Sequence, residues 1–138
     1  MLLLVYSADR KRLHRFLKAA ALLPPDALTL ELYRSAEFFF DRLRQPVPPK
    51  TSALIMVGDT AELRRFLSMS DFLWNIRVIV AVSDDSPETL DLARRLWPRY
   101  IAFGEGDFSD VSAVLKKMAK GQKAAGIHRK ETIEVNGG

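Results

Sequence analysis

The chain has 138 residues, 48% hydrophobic and 28% charged, with a formal net charge of +4 and no cysteine. That length and balance suit one soluble globular domain with a real core. They exclude a disulfide, a thiol nucleophile and a thiolate metal site, and no apolar run is long enough to cross a bilayer.

In chain order, residues 2–6 (LLLVY) read as a first strand, followed by the corner Ser7-Ala8-Asp9. A helix from about Arg10 to Leu23 presents Leu13, Phe16, Leu17 and Ala20 on one face, and Pro24-Pro25 stops it. Arg10, Lys11, Arg12, His14, Arg15 and Lys18 read as the wet face of that helix, or as a docking surface for an acidic partner or for phosphates. Residues 28–33 (LTLELY) form a second strand whose pattern alternates more, as expected nearer a sheet edge. A short helix over about residues 36–44 carries Phe38, Phe39 and Phe40. Helix neighbours point about 100° apart, so at least one of the three is expected in solvent.

Pro46–Pro49 interrupts regular structure before a third strand at 53–57, and a helix begins after Asp59. The spacing of "DTAE" is that of a capping box, which makes Asp59 a helix cap on local grounds. A fourth strand at 76–82 precedes a helix that starts after Ser86 with Pro87 in its first position. A fifth strand, 100–103, precedes a helix with Val111, Val114, Leu115 and Met118 at helical spacing. Trp74 and Trp97 read as core or helix-packing residues, like most of the aromatics. From Gly121 to Gly138 the chain is read as a polar tail whose one β-prone patch, "ETIEV", leaves room for one added strand.

Three strands are nearly continuous apolar runs, which suits strands covered on both faces. Strict βα alternation through five units implies a doubly wound parallel sheet. Ligands in such sheets bind beyond the carboxyl ends of the strands, so the post-strand corners are where function is expected. Asp9, Asp59, Asp84 and Asp85 would converge there if the first, third and fourth strands are neighbours. Several carboxylates in one cleft can admit Mg²⁺ or Ca²⁺. Asp9 and Asp84-Asp85 also have local readings, as a helix cap and as a solvated loop. His14 and His128 have no nucleophile or ligand at catalytic or metal-binding spacing.

The length, the five βα units and the stretch "RYIAFGEGDFSDVSAVLKKM" resemble the receiver domain of two-component response regulators over about residues 1–120. "YIAF" matches that family's fifth strand, and "GDFSDVSAVL" matches the start of its last helix. The resemblance implies a three-layer, flavodoxin-like fold with five parallel strands in the order 2-1-3-4-5. A working receiver has an acidic pair after strand one, a phosphoacceptor Asp after strand three, a Ser or Thr after strand four and a Lys after strand five. Charge around the transferred phosphoryl group must be neutralised for that chemistry. Here the first corner offers Asp9 alone beside Ser7 and Ala8. Asp59 is the candidate acceptor but falls one or two residues late, with Val57 or Gly58 nearer the place. Ser83 stands for the hydroxyl, or Val82 falls in that place, and Phe103 or Gly104 stands where the Lys belongs.

The resemblance therefore implies a degenerate receiver, a cytoplasmic signalling module that acts by protein–protein contact, as a homodimer or with a partner, and is not an enzyme. The family's usual output face, the fourth helix, fifth strand and fifth helix, would include Arg94, Arg95, Trp97, Tyr100, Lys116 and Lys117. No DNA-reading motif and no membrane partner are expected. No cofactor is expected either, beyond a weakly held Mg²⁺ at Asp9 and Asp59. Two alternatives stay open: a phosphorelay receiver with an atypical pocket of Asp9, Ser7, Asp59, Ser83, Asp84 and Asp85, or a small nucleotide-binding α/β protein or enzyme using the same cleft.

Overall fold

The computed structural model describes residues 1–103, 106–125 and 134–136. Its elements are β1 (Leu2–Ser7), α1 (Arg10–Ala20), β2 (Thr29–Tyr33), α2 (Ala36–Leu43), β3 (Ser52–Met56), α3 (Thr60–Ser68), a 3₁₀ turn (Ser70–Leu73), β4 (Arg77–Val82), α4 (Pro87–Arg94), β5 (Tyr100–Phe103), α5 (Ser109–Ala125) and β6 (Glu134–Asn136). The strands form one sheet in the order β5-β4-β3-β1-β2-β6, and every described pairing is parallel.

The central five strands thus take the flavodoxin-like order 2-1-3-4-5, the doubly wound arrangement expected of strands apolar on both faces. β3 is buried throughout, and β1 and β4 are buried beyond their first residues. Side-chain alternation splits the core in two. On one face Leu4, Tyr6, Ile55 and Val80 pack with Phe39, Phe40, Leu63, Phe66 and Leu92 of α2, α3 and α4. On the other, Leu3, Val5, Leu54 and Ile79 pack with Leu13, Phe16, Val111 and Leu115 of α1 and α5. The first face is aromatic: Tyr6 and Phe66 lie 4.9 Å apart between ring centroids, and Phe40 and Phe66 5.0 Å.

Several local expectations are altered by this packing. α1 ends at Ala20 rather than running to the prolines. α5 continues through Gly121 to Ala125, and 134–136 pairs with β2 as an added edge strand, which leaves β2 next to the sheet edge. Phe38 is the outward member of the phenylalanine trio, with Phe39 and Phe40 buried. Trp74 and Trp97 are not core residues: they are 80% and 88% exposed. Trp97 precedes Pro98, which disfavours the α conformation, and its φ of 54° turns the chain out of α4 before the indole can fold back. Among the described residues, no helix is long and apolar enough to cross a membrane.

Candidate functional site

The corners at the carboxyl ends of β1, β3, β4 and β5 hold the candidate residues, and hydrogen bonds to nearby backbone engage most of them. Ser7, fully buried, closes the first corner on itself: its Oγ accepts from the Asp9 N–H (3.1 Å) and donates to the Asp9 carbonyl (2.9 Å). The Asp9 carboxylate accepts from the Lys11 N–H at 2.8 Å and the Arg12 N–H at 3.3 Å, which makes it the N-cap of α1.

After β3 the chain runs Val57-Gly58-Asp59. Val57 is buried, and Asp59 is exposed and caps α3 by accepting from the Glu62 N–H at 2.8 Å. Glu62 reaches back over the turn. Its Oε1 accepts from the Gly58 N–H at 2.7 Å and its Oε2 from the Tyr6 hydroxyl. The capping box read from "DTAE" is thus shifted by one residue, with Gly58 in place of Asp59 as the second donor. Burial first, and the bond to Glu62 second, hold the Tyr6 phenol well above its ordinary pKa.

After β4 the exposed Ser83 donates its hydroxyl proton between the carbonyls of Gly58 (3.0 Å) and Val57 (3.3 Å). Asp84 accepts from the Ser86 N–H at 2.9 Å, and that bond holds its carboxyl below the usual carboxylate range. Asp85 is exposed in the same loop. β5 ends on Phe103, 51% exposed; Gly104 and Glu105 lie outside the described residues. Asp107 accepts from the Ser109 N–H at 3.0 Å at the start of α5, which lowers its pKa.

One cation does enter the cleft, from an unexpected source. Arg12, read from sequence as part of the wet face of α1, is only 5% exposed, and its Nη1 donates to the Val57 carbonyl at 2.6 Å. Its position explains this: Arg12 stands four residues before Phe16 and seven before Ala19, so it shares the buried stripe. The long stem follows the apolar face while the guanidinium reaches the end of β3. That spacing was a usable signal. The remainder of the group behaves as a surface, with Arg10, Lys11, His14 and Lys18 exposed.

The expected convergence of carboxylates is not found. Among the described residues no three acidic or histidine side chains are grouped so that they could hold a metal ion. Asp9, Asp59 and Asp84 are each turned back onto the N–H groups of their own helix or loop, which draws the charges apart. What stands at the end of β3 is the Val57 backbone carbonyl, shared by the Arg12 guanidinium and the Ser83 hydroxyl.

The candidate interface residues lie on and between α4, β5 and α5. Arg94, Lys116 and Lys117 are exposed, Arg95 pairs with Asp91 at 2.8 Å, and the half-buried Tyr100 donates its hydroxyl to Asp110 at 2.8 Å. A cavity of about 540 Å³ lies elsewhere, at the amino ends of β1 and β2 between Leu2, Ala27, Glu31, Arg42, Pro48 and Lys120. Glu31 and Arg42 form a half-buried ion pair at 2.8 Å there.

No family model matches this sequence. No curated protein matches it either. In structure the chain is similar to a CheY-like response regulator protein from Mesorhizobium loti, known from a crystal structure: the TM-score is 0.61 and the identity 12%, over 85% of this chain and 97% of that one. At that identity the likeness is one of fold, and the fold is receiver-like.

Proposed function

We propose that this chain is a receiver-fold signalling module that works through protein–protein contact and carries no phosphoryl transfer at its strand-end cleft. The observation that supports this most is the end of β3, where the Val57 carbonyl takes the Arg12 guanidinium and no carboxylate replaces it. An acyl phosphate on the nearby Asp59 would place about two negative charges at a helix cap already used by the Glu62 N–H. No described residue supplies a lysine there, and removing one preorganised charge-stabilising group typically slows such chemistry by on the order of a hundredfold. The contact surface fits the α4, β5 and α5 side, where Arg95, Tyr100, Lys116 and Lys117 are presented to a partner or to a second copy, with Arg94 and Trp97 at its amino-end edge.

Incubation with acetyl phosphate and Mg²⁺, followed by intact-mass measurement, tests the reading. No added phosphoryl mass is expected. A stable adduct that disappears in Asp59→Ala would overturn it in favour of an atypical phosphorelay receiver.

A further inference from the structure

Two tryptophans project from neighbouring turns at the amino end of the sheet. Trp74 follows the 3₁₀ turn that leads into β4, and Trp97 leads into β5. β4 and β5 are neighbours in the sheet, with Ile79 paired to Tyr100, so both turns lie at the same end of it. The Arg99 N–H donates to the Val78 carbonyl (2.7 Å) where the two strands begin. At 80% and 88% exposure these indoles leave nearly all of their apolar area in water. Trp97 does so from a left-handed backbone, φ 54°, that a bulky side chain rarely takes.

Arg94 and Arg99, close to Trp97 in sequence, are exposed, and the half-buried Arg77 donates to the Lys50 carbonyl at 2.6 Å. Of the acids in these turns, Asp71 is exposed and Asp91 is held by Arg95. At the opposite ends of the same two strands stand Asp84, Asp85 and Asp107. Charge is therefore separated along β4 and β5, basic where the indoles are and acidic at the far end.

We propose that this amino-end face docks on an anionic lipid surface, with Trp74 and Trp97 entering the headgroup layer and Arg94 and Arg99 facing lipid phosphates. Indoles favour the boundary between water and hydrocarbon because one part of the ring system is apolar and the N–H is polar. Either an apolar insertion or a basic patch alone holds a protein weakly, and the two together hold it well. A protein partner would need a matching groove for two projecting rings, whereas a fluid bilayer accommodates them without one. The sequence expectation of no membrane contact rested on the lack of a long apolar run, and docking on a surface requires none. The proposal is independent of whether the cleft handles phosphate.

Flotation of the full chain with vesicles of phosphatidylcholine and phosphatidylserine in equal parts, read beside tryptophan emission, is the test. Binding to these vesicles, loss of binding with added salt, little binding to pure phosphatidylcholine, and a blue-shifted emission quenched by brominated lipid are expected. Trp74→Ala and Trp97→Ala should each weaken binding at least tenfold or so, from the area of a half-inserted indole. Arg99→Gln should weaken it by several fold. All three side chains are exposed, and circular dichroism checks that the variants fold. Absence of binding to the anionic vesicles, equal binding to neutral ones, or full binding by the double tryptophan variant would each overturn the proposal. An emission shift with polyglutamate and none with vesicles would overturn it too, and would assign the face to an acidic protein.

Discussion

Asp59 offers the sharpest test of how the corner after β3 is used, because two substitutions separate its possible roles. Its carboxylate makes one described bond, from the Glu62 N–H at 2.8 Å, and it is exposed. Removing a side-chain cap of this kind costs about 1 kcal/mol, since an N–H at the start of α3 loses its acceptor. Asp59→Ala should therefore lower the unfolding free energy by that amount and the melting temperature by roughly 4 °C for a domain of this size. Asn caps as well as Asp and loses only the attraction between a negative charge and the helix N-terminus, worth about 0.5 kcal/mol. Asp59→Asn should thus keep at least half of the stability that Asp59→Ala loses. Urea unfolding followed by circular dichroism measures both, with the midpoint moving and the slope unchanged. If Asn is as damaging as Ala, or if Ala costs nothing, the residue is not acting as a cap and the reasoning fails. A loss above about 3 kcal/mol would refute it as well, because one exposed bond cannot supply so much.

Glu62 joins α3 to β1 through Tyr6, so Tyr6→Phe and Glu62→Gln should show a coupling of about 1 kcal/mol in a double-mutant cycle, and additive costs would refute a direct bond. Tyr6 and Tyr33 are both held above their ordinary value of 10.0, by burial first and then by bonds to Glu62 and Glu31. The stability that these neutral phenols confer is complete below that value and is lost as pH rises past it. The urea midpoint should therefore fall above pH 10, and Tyr6→Phe with Tyr33→Phe should flatten that fall. Trp97→Gly should be more stable than Trp97→Ala by about 1 kcal/mol, because only glycine takes the left-handed backbone without strain; equal stabilities by chemical unfolding would contradict the strain.

The fold was legible where patterns are long and redundant. Continuous apolar runs in β1, β3 and β4, together with stop and start signals such as Ser86-Pro87, specify parallel strands and helices without any partner being known. The caps at Asp9 and Asp59 were legible too, because capping is a contact between near neighbours in the chain. What escaped was set by distant contacts. Arg12 looks like one more surface cation until Phe16 and Ala19 are seen to share its stripe, and its partner Val57 is far away in sequence. The bond from Tyr6 to Glu62 likewise depends on which strand lies beside which. The tryptophans escaped for a different reason. Composition makes Trp a core residue by default, but the left-handed turn before Pro98 and the short 3₁₀ turn before β4 leave these two side chains no wall to pack on.

The pairing of β6 with β2 has a consequence for how the chain behaves at high concentration. β6 covers Leu30, Glu31 and Leu32 with only three residues of its own. The bonds it makes are identical whether the strand comes from the same molecule or from a neighbour. Strand strength therefore cannot decide between a closed monomer and an exchanged pair. What decides is the effective concentration at which the chain presents β6 to its own sheet. When the protein concentration approaches that value, exchange becomes competitive. A change in the chain between α5 and β6 would shift the balance without altering a single contact in the sheet.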